Sequence, residues 1–85
     1  MEMIYNSPLF CVVEFKAAPA ADGRAIGGFE IMDKTLRREI FLRGTDAEHF
    51  KASVQALIAR EPSADEIDEF LAGYRGVMST PLALH

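Results

Sequence analysis

Cys11, His49, His85, the acidic run from Glu61 to Glu69 and the basic group Lys34, Arg37, Arg38 and Arg43 are the residues of this 85-residue chain whose types could do chemistry. Covalent catalysis needs a nucleophile, a base and a group that orients the base. Cys11 and the two histidines supply the types. Cys11, however, stands between Leu9-Phe10 and Val12-Val13 in an apolar strand, where a free cysteine behaves as a small hydrophobe. His49 falls on the shoulder of a helix, off its apolar stripe, and reads as a solvated surface residue. His85 carries an imidazole and an α-carboxylate, both metal-ligand types. The two histidines nevertheless lack the helical or strand-pair spacing that a shared metal requires. No catalytic, cofactor-binding or metal residue is therefore assigned.

The carboxylates of Asp65, Glu66, Asp68 and Glu69 crowd the first turns of a helix. There they interact favourably with the positive end of the helix dipole, which explains the run without catalysis. The basic group admits three readings: solvated pairs within the chain, contact with an acidic helix of another chain, or an anion or RNA site. Exposed pairs contribute little to stability.

These residues are positioned by strands first and helices second. Residues 26–43 read as a β-hairpin. Phe29 and Ile31 alternate with Glu30 and Met32, and Ile40 and Leu42 alternate with Glu39, Phe41 and Arg43, a period-two pattern. A four-residue loop, Lys34 to Arg37, pairs Ile31 with Ile40, Phe29 with Leu42 and Asp33 with Arg38. A two-residue loop would set Glu30 against Glu39, so the longer loop is preferred. Both registers place Phe29, Ile31, Ile40 and Leu42 on one face.

Before the hairpin, residues 2–5 form a short strand, Asn6-Ser7-Pro8 a turn, and residues 9–16 a strand that is apolar on both alternating sets. Such a strand is usually buried on both faces. Residues 17–25 are small and read as an exposed, mobile loop, and Gly27-Gly28 as a place for a bulge or a close backbone approach. After the hairpin, Thr45 and Glu48 have capping-box spacing for a helix at 46–60, with Ala47, Phe50, Val54, Leu57 and Ile58 as its stripe. Pro62 stops that helix. Ser63 and Glu66 repeat the capping box for a second helix at 64–77, striped by Ile67, Phe70, Leu71, Tyr74 and Met78. The tail, 79–85, is extended. The fold class is α+β: a three- to four-stranded antiparallel meander followed by a two-helix hairpin packed on one face.

Composition bounds the function. The chain makes one domain. Its net charge is −4, with six basic and six acidic side chains in residues 1–44 and three against seven in residues 45–85. That balance argues against a nucleic-acid partner. One cysteine gives no internal disulfide, no run reaches a membrane span, and the N-terminus lacks a signal-peptide pattern. The expectation is a complete small cytoplasmic protein.

Met3-Ile4-Tyr5-Asn6-Ser7, Gly28-Phe29-Glu30-Ile31-Met32-Asp33-Lys34, Gln55-Ala56-Leu57-Ile58, Pro62-Ser63, Asp68-Glu69-Phe70, Pro81 and Leu84-His85 together resemble a bacterial family of unknown function, number 3567, found mainly in beta-proteobacteria. The resemblance spans nearly the whole chain and implies a small stand-alone cytoplasmic protein. It implies no activity, substrate or site residue.

The leading expectation is a non-enzymatic homodimer that binds another protein or regulates. Phe10, Val12, Met32, Arg37, Arg38 and Phe41 are its candidate interface, on a sheet face that the helices leave open. The alternatives are a small-ligand site between sheet and helices, lined by Tyr5, Tyr74 and arginines, and RNA binding through the basic hairpin.

Overall fold

The computed structural model describes residues 2–19, 25–78 and 80–81. In chain order the elements are β1 (Glu2–Asn6), β2 (Phe10–Pro19), β3 (Ala25–Asp33), β4 (Arg38–Arg43), α1 (Thr45–Ile58), α2 (Ala64–Ala72), a 3-10 turn (Arg75–Val77) and β5 (Thr80–Pro81). The strands form one antiparallel sheet in the order β1-β2-β3-β4-β5, so the α+β meander holds, with a fifth, two-residue strand from the tail closing onto Arg38 and Glu39 of β4. Among the described residues, no helix is long and apolar enough to cross a membrane.

The hairpin takes the longer loop. Ile31 stands opposite Ile40, Phe29 opposite Leu42 and Asp33 opposite Arg38. Arg37 closes this turn with φ of 57°, in the left-handed region that non-glycine residues seldom occupy. Strand β2 outruns its expected end. It continues to Pro19, and β3 begins at Ala25, so part of the expected loop is paired strand. The remainder, residues 20–24, lies outside the described residues. A bulge between Phe15 and Ala18 of β2 faces the Gly27-Gly28 step. Gly28 is there because the backbone is close: a Cβ on it would lie 2.1 Å from the Leu42 carbonyl oxygen and 3.3 Å from the Phe41 ring.

The two helices start differently. Ser63 accepts a hydrogen bond from the Glu66 amide while the Glu66 side chain takes the Ser63 amide, the capping box expected for α2. At α1 the expected Thr45 box is absent. Gly44, at φ 64°, is the N-cap, its carbonyl accepts from the Glu48 amide, and no side chain caps the helix. Thr45 is already in helical conformation, so its hydroxyl cannot reach back across the first turn. Both helices are shorter than 46–60 and 64–77. The first ends before Glu61, which has φ of 51° ahead of Pro62, and the second loosens at Gly73 into the 3-10 turn.

The core lies between one face of the sheet and the helices. Phe10, Val12, Phe29, Ile31 and Leu42 rise from the strands to meet Ala47 and Phe50 of α1, Leu71 of α2 and Met78. Phe50 is the hub: its ring lies 5.1 Å from Phe29, 6.0 Å from Phe70 and 5.5 Å from Tyr74, tying sheet and both helices in tilted and edge-on contacts. The α1 stripe fades toward its end, and Ile58 is 53% exposed.

Candidate functional site

The faces of the sheet follow from the register. Val12 pairs with Ile31, which pairs with Ile40, and Phe10 pairs with Asp33. Antiparallel partners point the same way, so Phe10 and Val12 share the helix-covered face. Both are buried in the core. This corrects their assignment to the open face. Strand β2 is apolar on both sets, so its own pattern cannot say which set faces the helices; pairing with β3 decides. The open face instead carries Cys11, Val13 and Phe15 from β2, opposite Asn6 and Met3 of β1 and Met32, Glu30 and Gly28 of β3. Strand β4 adds Glu39, Phe41 and Arg43. Of the six proposed interface residues, Met32 and Phe41 lie on this face. Arg37 is in the turn, and Arg38, on the covered side, donates to the Met78 carbonyl.

No described helix lies over the open face. Met3 is 58% exposed and Phe41 is 37% exposed, while Cys11 and Val13, in the sheet interior, are hemmed in by their neighbours. Phe15 and Phe41 meet edge to ring at 5.2 Å across Gly28, and the Arg43 guanidinium sits 5.0 Å from the centre of the Phe41 ring. One Glu39 carboxylate oxygen, Oε2, is buried with no hydrogen-bond partner among the described residues.

The covered face ends in two carboxylate clusters at the turn end of the sheet. Asp33 is buried at the start of the β3–β4 turn. Its Oδ1 accepts from the Thr35 and Leu36 amides at 2.9 and 2.8 Å, and its Oδ2 from the Arg75 Nε at 2.5 Å. Burial pushes its pKa up, but the Leu36 amide, the Arg75 guanidinium and the Thr35 amide outweigh it, and the carboxyl sits below the ordinary aspartate range. Arg75 also lies 5.0 Å over the Phe10 ring. Asp68 of α2 is buried too, and its Oδ1 accepts from the Tyr5 and Ser7 hydroxyls, each at 2.8 Å. Burial and the Asp68 bond raise the Tyr5 pKa. Lys34 reaches the Asn6 side chain and the Ser7 carbonyl. Neither cluster was foreseen. Asp68 carried a signal in its spacing, three residues before Leu71 on the inward face of the helix, whereas the Arg75 partnership spans 42 residues and leaves no local trace.

The remaining candidates fall into place. Burial pushes the Cys11 thiol up, away from the thiolate a nucleophile needs. His49 is exposed on α1, and His85 lies outside the described residues. Among the described residues no group of three or more His, Cys, Asp or Glu is arranged to hold a metal. Arg38 and Arg43, five residues apart in β4, point to opposite faces, so the four basic residues do not share one surface. The cleft between β1 and the helices, about 260 Å³, has Tyr5 in its wall but neither Tyr74 nor an arginine; the rest of its lining is apolar, Ile4, Val54, Leu57 and Ile67 among it.

The stretches that carry the resemblance, Tyr5-Asn6-Ser7, Asp33-Lys34 and Asp68, meet in these clusters, and a match to the family described as "Protein of unknown function (DUF3567)" runs over residues 1–85. The chain belongs to the DUF3567 family. A relative, Protein BTH_I0359 of Burkholderia thailandensis, is 48% identical over 85 residues, covering 100% of both chains. No solved structure matches. This DUF3567 protein therefore has an α+β fold with two buried carboxylate clusters at one end of its sheet.

Proposed function

We propose that the protein is a non-enzymatic, homodimeric interaction module of the bacterial cytoplasm, working through the uncovered face of its sheet. The observation that supports this reading is that face: Met3 and Phe41 are exposed and Phe15 and Met32 half-buried on a side of the sheet over which no described helix packs. Contiguous apolar patches on small proteins mark interaction sites. The non-enzymatic part rests on how the polar groups are used. Both oxygens of Asp33 and the Oδ1 of Asp68 are spent on structural bonds, and the Cys11 thiol is buried. The single unpaired cysteine suits a reducing compartment. Sedimentation velocity at micromolar concentration tests the reading. A dimer that Phe41→Ser dissociates, with the far-UV spectrum unchanged, is expected; a strict monomer would remove it.

A second reading, small-ligand binding, is favoured by the apolar cleft of about 260 Å³. It is the weaker one. The volume falls below the ~300–1,000 Å³ of ordinary ligand pockets, and the only polar side chain in its wall among the described residues, Tyr5, is already bonded to Asp68. A fluorescent apolar probe that binds the wild type and is excluded by Val54→Trp would support it; binding that ignores the substitution would not.

A further inference from the structure

We draw no further inference here: the strongest candidate, the side of the sheet opposite the helices with Met3 and Phe41 exposed on it, carries none, since nothing in the structure shows what covers it.

Discussion

The two faces of this sheet are built from nearly the same residue types and do different work. The covered face sets Phe10, Val12, Phe29, Ile31 and Leu42 against two helices and closes its turn end with the Asp33 and Asp68 clusters. The open face carries Cys11, Val13, Phe15, Met32 and Phe41 with no described helix over them, and Glu39 Oε2 there has no hydrogen-bond partner among the described residues. Apolar content alone therefore does not mark the core of this fold. What distinguishes the covered face is the cover of two helices and the bonded carboxylates of Asp33 and Asp68 at its turn end.

The comparison can be broken at several points. The largest effect is expected at the hub of the covered face. Phe50→Ala removes a buried ring that touches sheet and both helices and should cost about 3–5 kcal/mol in chemical denaturation. On the open face, Phe41→Ser should cost the isolated monomer only about 1 kcal/mol, the worth of its contact with Phe15. Equal losses at the two sites would erase the distinction.

Asp33→Ala should come between, at about 2 kcal/mol, because it strips charged hydrogen bonds from a buried site whose partner Arg75 is half-exposed. It also has a pH signature. Asp33 titrates lower when folded than when unfolded, so between the two values the native state holds fewer protons and stability rises with pH. That contribution is complete above the unfolded value of about 3.9 and fades as pH falls through the folded one. Wild type should therefore lose more stability below about pH 4 than the variant does. Parallel acid limbs in denaturant titrations would contradict this.

The smallest effects concern how the cover is seated. Ser63→Ala breaks the capping box of α2 and should cost about 1 kcal/mol. Thr45→Ala removes no cap bond and should stay within about 0.5 kcal/mol. Thermal melts of the pair resolve the difference.

The elements that the sequence made legible are those whose instructions are local. Ile40 and Leu42 alternate with charged and aromatic neighbours, so the face of β4 and its register with β3 could be read directly. Ser63 and Glu66 sit three apart after a proline, and the box they form needs no distant partner. Strand β2 was legible as a strand but silent on direction, because both of its sets are apolar; placing Phe10 and Val12 required the pairing with β3. The Thr45 box failed because Gly44 can adopt the positive φ that begins the helix one residue earlier. The placement of Phe10 and Val12 on the open face failed for the same reason that β2 was silent. Met32 and Phe41 belong to the hairpin, whose faces were already settled, and they remain on the open side.

The Asp68 cluster has a consequence for solubility. Strand β1 is the outer edge of the sheet, and beneath it the hydrogen-bonding edge of β2 would be a template for any extended chain. What pins β1 there is a carboxylate 61 and 63 residues away in sequence, gripping Ser7 and Tyr5. The helix layer thus guards the flank of the sheet as well as roofing its core. An Asp68→Ala chain should let β1 lift and its siblings add on, seen as light scattering that grows under native conditions while the helical signal persists.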